Sequence, residues 1–164
     1  MEIGLLRPKY KNLMVSRYQT AAEITGAIIT AIKESAPAAE ILAPTFYNKD
    51  KNKTAKLIWI FCKNAIPYKR ESGQRQTAKT LPRILADAKR HGGDCKHMTI
   101  TAMSLCKALK IPCKIRLISQ NFYDTSPNHI YCIAKIDGKD VVIDGVLKNY
   151  NTEARYNYKY DIKI

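Results

Sequence analysis

No stretch of the sequence approaches the about 18 uninterrupted apolar residues that a membrane span needs, which excludes a transmembrane helix. The first residues lack the basic flank and long apolar run of a leader, so we expect no signal peptide. There is no Cys-x-x-Cys pair, and the three histidines do not complete a zinc spacing. There is no internal repeat or low-complexity tract either. The composition, 46% hydrophobic and 26% charged, is that of a globular protein and excludes a collagen, a coiled coil and wholesale disorder.

Acidic residues are also scarce, with 14 Asp and Glu against 28 Lys and Arg and a net charge of +14. This excess favours contact with polyanions such as nucleic acid, acidic protein faces or anionic lipid. The charges are spread along the chain and not clustered, however, which is also expected if many of the lysines only lie on solvated surfaces. The charge balance therefore sets solubility and long-range attraction, and polyanion binding is an expectation only.

The length of 164 residues fits one domain. We expect an N-terminal arm over residues 1–16 and a single domain over 17–164. Five cysteines, an odd number, without an expected leader argue against a disulfide framework. They favour a reducing compartment, and hence a cytoplasmic location.

Hydrophobic periodicity predicts helices first and strands afterwards. Helices are expected over 18–35, from a Thr54 N-cap to about residue 64, over 82–90, and for about fifteen residues after Asp94. Loops are expected over 44–52 and, as a basic surface loop, over 69–80. Strands are expected over 113–117, 129–136, 140–144 and 156–164, with Asp137-Gly138 as a hairpin turn. This order predicts an α+β fold, with N-terminal helices packed on a C-terminal antiparallel sheet.

Cys95 differs from the other cysteines because it follows Gly92-Gly93-Asp94 at the start of a predicted helix, whereas they lie in apolar stretches. The unpaired N–H groups and the dipole of a helix start favour negative charge, and hence a thiolate. The same N–H groups can hold an oxyanion. One position can therefore supply both a nucleophile and charge stabilisation, although a cysteine can also begin a helix without any such role.

A base and its orienting group follow from the predicted hairpin. A two-residue turn at Asp137-Gly138 pairs Ile136 with Lys139, so that Tyr131 lies opposite Asp144. His129 and Asp144 are then diagonal neighbours on one face of the sheet, roughly 7–8 Å apart at the backbone. A three-residue bulged loop would instead move the aspartate to the other face.

Other residues are weaker candidates for these two roles. His97 is two positions from Cys95 on the same helix and should face away from it. His91 lies before the glycines and is an alternative base, whereas Asp124 and Asp140 are alternative orienting groups. Considered alone, His129 could equally be a structural histidine. Asp144 alone could equally be a carboxylate at a strand end that caps the following loop.

The motifs resemble those of the transglutaminase-like superfamily, which has a papain-type fold, over about residues 54–146. The matching segments are Gly93-Asp94-Cys95, Lys110-Ile111-Pro112, Lys114-Ile115-Arg116, His129-Ile130-Tyr131 and Val142-Ile143-Asp144. Ile66-Pro67-Tyr68 also looks like the superfamily's approach to its cysteine loop. The resemblance implies that Cys95 is the nucleophile, that His129 is the base and acid, and that Asp144 orients the imidazole.

The resemblance also implies acyl transfer through a thioester, on protein or peptide amide bonds and without a metal or organic cofactor. Hydrolysis is slightly favoured over cross-linking because bacterial members of the superfamily include many hydrolases. Compact relatives occur in bacteria and phages. For a phage protein, the resemblance implies a location in the host cytoplasm or in the virion. The oxyanion or substrate-binding candidates are Gln74, Gln76 and Trp59.

Two residues depart from the superfamily's pattern. Lys110 replaces the usual glycine before Ile-Pro, at a cost of about 1 kcal/mol if that position is left-handed. Lys96 follows the cysteine, where many relatives carry an acidic or bulky residue, and we expect it to make the pocket entrance more basic.

A non-catalytic basic module is the alternative hypothesis, as a nucleic-acid binder or as a component of a virion or other assembly. The basic loop at Lys69, Arg70, Arg75 and Lys79 would contact phosphates. The C-terminal tyrosines, interleaved with lysines, would stack on bases.

Overall fold

A computed structural model describes residues 20–73 and 76–164 in full and residues 12–14 as backbone. Its helices are α1 (Ala21–Glu34), α2 (Ala36–Leu42), α3 (Lys51–Ala65), α4 (Leu81–His91) and α5 (Cys95–Ala108), with a 3-10 helix at Ala43–Phe46. Its strands are β1 (Asn12–Met14), β2 (Thr77–Lys79), β3 (Cys113–Ser119), β4 (His129–Ile136), β5 (Lys139–Ile143) and β6 (Tyr158–Lys163). The fold is α+β, as predicted; the rest of the expected arm over 1–16 lies outside the described residues.

The main sheet is antiparallel, with the strand order β5-β4-β3-β6. Cys132 pairs with Ile143 and Ile136 pairs with Lys139, which is the predicted register. Asp137 and Gly138 have φ values of 49° and 75°, as the positive φ angles of a type I′ turn require. The two-residue turn is therefore confirmed, and its register keeps the side chains of His129 and Asp144 on one face.

The two faces of the sheet are covered differently. Alternate β4 residues Ile130, Cys132, Ala134 and Ile136 belong to the main core, together with the helices. Helix α5 lies within this core, and every residue from 96 to 106 is buried. A smaller cluster on the opposite face includes Tyr131 and Ile133 and is packed against Ala154 and Tyr156. The helix that begins at Cys95 is therefore held between the sheet and the other helices.

The start of α3 corrects one prediction. Asp50, not Thr54, caps this helix by accepting hydrogen bonds from the N–H groups of Asn52 and Lys53. Thr54 is buried inside the first turn, and its hydroxyl pairs with the backbone of Asn48. Aspartate and threonine are both good N-cap residues. Because the helix begins directly after Asp50, the loop predicted over 44–52 ends two residues earlier than expected.

The region predicted as a basic surface loop is partly a strand. Strand β2 pairs antiparallel with β1, and its three residues are buried. Lys79 is only 8% exposed, and its ammonium group lies 3.1 Å from the Asp87 carboxylate. Because its pairing partner lies more than 60 positions away in sequence, this strand leaves no local signal, and the prediction of a surface loop is wrong at residues 77–79. Arg75 lies outside the described residues.

The second residue after α5 has the conformation that its place in the motif implies. Lys110 has a φ of 56°, in the left-handed region that glycine usually occupies after a helix. A lysine there costs about 1 kcal/mol relative to glycine. None of the helices among residues 20–73 and 76–164 is long and apolar enough to cross a bilayer.

Candidate active site

Cys95 is the first residue of α5, and its neighbours fix this helix start. The buried Asp94 side chain accepts a hydrogen bond from the Lys96 N–H at 3.1 Å. The Asp94 N–H donates to His97 Nδ1 at 3.2 Å, which completes a capping box. Burial would raise the pKa of Asp94, but the contact with His97 and the charge of Lys96 outweigh it and lower that pKa to about 2. The N-cap is therefore a permanent carboxylate.

The two glycines allow another chain segment to approach the cysteine closely. The Gly93 N–H donates to the Pro67 carbonyl at 3.0 Å, and the Lys69 N–H donates to the Gly93 carbonyl at 2.9 Å. A Cβ at Gly93 would lie 2.7 Å from Ile66 Cγ2, and one at Gly92 would lie 2.5 Å from the Pro67 oxygen. The segment after α3 is thus fitted against the cysteine loop.

Gly93→Ala is expected to destabilise the protein by about 1–3 kcal/mol, because the added methyl group overpacks a buried contact. Urea unfolding monitored by circular dichroism measures the change. Gly26→Ala is the matched control, since a Cβ there meets nothing within 4 Å, inside α1. That control should be stabilised by about 0.5–1 kcal/mol. Equal effects of the two substitutions would contradict this account of the cysteine loop.

Asp144 is fixed from several sides beside His129. Its Oδ2 lies 2.6 Å from His129 Nε2, and its Oδ1 accepts the Val146 N–H at 3.0 Å. Its carbonyl accepts the Trp59 indole N–H at 2.8 Å. The aspartate is only 3% exposed, so its carboxylate has little freedom to turn away from the imidazole.

Cys95 and His129 meet because α5 is joined to the start of β4. The Thr99 hydroxyl lies 2.7 Å from the Cys95 carbonyl and 3.1 Å from the Ile130 carbonyl. Burial would lower the pKa of His129, but hydrogen bonds with Asp144 and with the Cys95 thiol raise it to about 10.

Tyr131 supports the imidazole from the neighbouring position on the same face of β4. The ring centroids of His129 and Tyr131 are 5.5 Å apart. The Tyr131 hydroxyl donates to Glu153 Oε1 at 2.7 Å, and the same oxygen accepts from Arg116 Nη1 at 2.7 Å. No local pattern marks Glu153, and the sequence prediction missed it.

Cys95 and His129 line a cleft of about 490 Å³. One wall is formed by α1, including Ile24 and Ile28, and is apolar. A second, polar wall consists of Arg70, Glu71, Gln76 and Lys96. The lining of the cleft therefore combines apolar side chains with polar and charged ones.

Lys96 does not make the cleft entrance basic, which corrects that expectation. It is 5% exposed, and its ammonium group pairs with the Asp94 carboxylate. The same group lies 2.7 Å from Gln76 Oε1 and 3.5 Å from Glu71 Oε2. Two carboxylates therefore neutralise the lysine, and the network ties the polar wall to the helix start.

The three oxyanion or substrate-binding candidates have different surroundings. Gln74 lies outside the described residues. Gln76 lines the cleft, where its Nε2 donates to the Ser72 carbonyl at 2.8 Å. Trp59 lies outside the described lining of the cleft, and its N–H faces the Asp144 carbonyl. Its observed contact orients the aspartate, and an oxyanion role for any of the three stays a prediction.

The alternative base and orienting groups lie elsewhere. His97 is buried and faces Asp94 and Thr77 Oγ1, as its spacing predicted. His91 is exposed at the end of α4. Asp124 caps its own loop by accepting from the Ser126 N–H. Asp140 forms an ion pair with Lys114 at the far end of the sheet.

Comparison with solved structures relates this fold to cysteine proteases. No protein-family model matches the chain, and no curated protein matches it either. A candidate cysteine protease from Cytophaga hutchinsonii is similar over 73% of this chain and 42% of its own, with a TM-score of 0.51 and 19% identity. A candidate protease from Parabacteroides distasonis is similar over 77% of this chain and 27% of its own, with a TM-score of 0.59 and 15% identity.

These likenesses show a papain-like cysteine-protease fold, with helices packed on an antiparallel sheet. The chain spans less than half the length of either protein. At such low identity the comparison concerns the fold alone.

Proposed function

We propose that this chain is a cysteine-dependent acyl-transfer enzyme of the transglutaminase-like type, which acts on protein or peptide amide bonds. The observation that carries the proposal is the 2.6 Å contact between His129 Nε2 and Asp144 Oδ2, at a cleft that Cys95 also lines. The matching sequence motifs and the papain-like fold support it.

In the first half of the reaction, the Cys95 thiolate attacks the amide carbonyl carbon. The developing oxyanion is held by the Cys95 N–H, one of the groups without an intrahelical partner at a helix start. The C–N bond then breaks, and the His129 imidazolium donates its proton to the leaving amine. The acyl group remains on sulfur as a thioester.

In the second half, water or an amine attacks the thioester, and neutral His129 takes the proton of the attacking group. The C–S bond breaks and returns the thiolate. Asp144 holds the imidazole in orientation throughout and stabilises its protonated form. Hydrolysis is the slightly favoured outcome, and no metal or organic cofactor takes part in these steps.

Alkylation by iodoacetamide at about pH 6 tests whether Cys95 is an activated nucleophile. Mass spectrometry of the peptides measures the rate at each cysteine. We expect Cys95 to react fastest, because it lines the cleft beside the raised-pKa His129, whereas Cys62, Cys106 and Cys132 are buried.

Cys113 is the internal competitor in this experiment. It is half-buried, and hydrogen bonds from the Cys106 and Cys132 thiols lower its pKa. The labelling is therefore repeated in a Cys113→Ala variant, in which Cys95 should keep its rate. A Cys95 rate no greater than that of the other thiols would remove the nucleophile from the proposal.

A further inference from the structure

A second cleft, of about 720 Å³, lies at the opposite end of α5 and β4 from Cys95 and His129. Five lysines line this lysine cleft: Lys107, Lys110, Lys114, Lys135 and Lys163. Helix α5 has 14 residues, which places the two clefts roughly 20 Å apart at a rise of about 1.5 Å per residue. The two sites can therefore be occupied at the same time.

The lysine cleft keeps an excess of positive charge after its ion pairs are counted. Asp140 is the one acidic side chain among the described lining residues, and it contacts Lys114 at 3.0 Å and Lys135 at 3.1 Å. Lys107 donates a hydrogen bond to the Ile164 main-chain oxygen at 2.8 Å. Asp161, beside the cleft, contacts Lys114 at 2.8 Å. Five lysine side chains thus face two acidic side chains, Asp140 and Asp161. Within the described part of the chain, no carboxylate lies in ion-pairing distance of Lys110 or Lys163.

Lys110 adds a conformational observation. Its left-handed backbone, with a φ of 56°, favours glycine, yet the residue is an exposed lysine beside the cleft. Glycine would remove this conformational cost, whereas the lysine adds an exposed positive charge to the cleft.

We infer that the lysine cleft binds the phosphodiester backbone of a nucleic acid and leaves the catalytic cleft open. The side chains that give the cleft its excess charge are lysines, which bind phosphate groups as point charges. The apolar floor, which includes Ile111 and Ile133, has no aromatic ring for base stacking among those residues. The binding is therefore independent of base sequence.

Fluorescence anisotropy with a fluorescein-labelled duplex of about 20 base pairs tests this inference, in about 50 to about 200 mM NaCl. In the wild type the logarithm of the binding constant should fall steeply with the logarithm of the salt concentration. The double variant Lys110→Gln/Lys163→Gln should bind at least about tenfold more weakly, with a slope smaller by about 2. Glutamine keeps a long side chain and a similar backbone preference, so the change is one of charge.

The matched control is Lys53→Gln/Lys56→Gln, on the exposed face of α3 and outside the described lining of both clefts. It removes the same net charge and should change the affinity less than about twofold. A second variant, Lys110→Gly, should weaken binding while raising the urea midpoint of unfolding. Weaker binding by a more stable protein would show that the loss of affinity comes from the missing charge and not from unfolding.

Three results would overturn the inference. They are no duplex binding at the lowest salt concentration, equal losses in the cleft variant and the α3 control, or poly-glutamate binding as tightly with the same dependence on Lys110 and Lys163. The last result would assign the cleft to an acidic protein. Cys95 alkylation should be unchanged in the cleft variant, and Cys95→Ala should bind the duplex like the wild type, so failure of the catalytic proposal is distinguishable.

Discussion

Cys95→Ala is expected to reduce hydrolysis of fluorescein-labelled casein by a factor of about 10⁴ to 10⁶, the loss seen when a covalent nucleophile is removed. Alanine removes the sulfur that would form the thioester but leaves the helix start in place, because Asp94 and His97 make the cap. The fold and the unfolding midpoint should therefore change little. The measurement is the initial rate of peptide release at equal protein concentration.

Cys113→Ala is the matched control for this loss. It also removes a half-buried thiol with a perturbed pKa, but this one lines the lysine cleft at the other end of the molecule. The control should keep the wild-type rate. If the Cys95 variant kept its activity and the Cys113 variant lost it, the nucleophile would be Cys113 in the lysine cleft and the proposal would be contradicted.

Asp144→Asn is expected to lower turnover by about 10² to 10⁴-fold, by analogy with loss of the orienting carboxylate in other triads. The carboxylate accepts from His129 with one oxygen and from the Val146 N–H with the other. An asparagine has only one oxygen, so it cannot serve both donors. The imidazole then loses its charged partner and its fixed orientation together.

The same substitution should change the pH dependence. In the proposed mechanism, the raised pKa of His129, about 10, would keep its imidazolium available to protonate the leaving amine up to that pH. Without the Asp144 charge the pKa falls towards the ordinary value near 6.5, so the alkaline limb of the activity profile should move to lower pH. An unchanged alkaline limb in the variant would contradict this role of the carboxylate.

The free energy of unfolding should also depend on the protonation of His129. Because folding raises the pKa of His129, the group stabilises the fold fully below about pH 6.5, and this contribution is lost as the pH rises through about 10. Urea unfolding of the wild type should therefore show a fall in stability over this window, and Asp144→Asn should flatten it. A parallel fall in both proteins would assign the effect to another group.

The parts of the fold that the sequence predicts are those with local causes. Asp137-Gly138 determines the hairpin, because both residues tolerate positive φ, and the pairing of Ile136 with Lys139 follows from the turn. The period of two along β4 predicts which face meets the helices. These local rules suffice to bring Asp144 beside His129.

The parts that the sequence analysis misses depend on distant partners. Strand β2 is paired with β1 and lies against α1 and α5, and Lys96 owes its neutral surroundings to Glu71 and Asp94. Glu153 reaches Tyr131 from a loop without regular structure. None of these contacts leaves a periodic or spacing signal, so only coordinates reveal them.

The alkylation rate of Cys95 from about pH 5 to about pH 11, in the wild type and in His129→Ala, tests the paired thiolate and imidazolium most directly. An unassisted thiol with a pKa of about 8.5 is only about 0.3% thiolate at about pH 6. The variant should therefore react at least about 100-fold more slowly than the wild type at that pH and approach it above about pH 10. Superimposable profiles for the two proteins would show that the imidazole does not activate the sulfur, and would contradict the catalytic account.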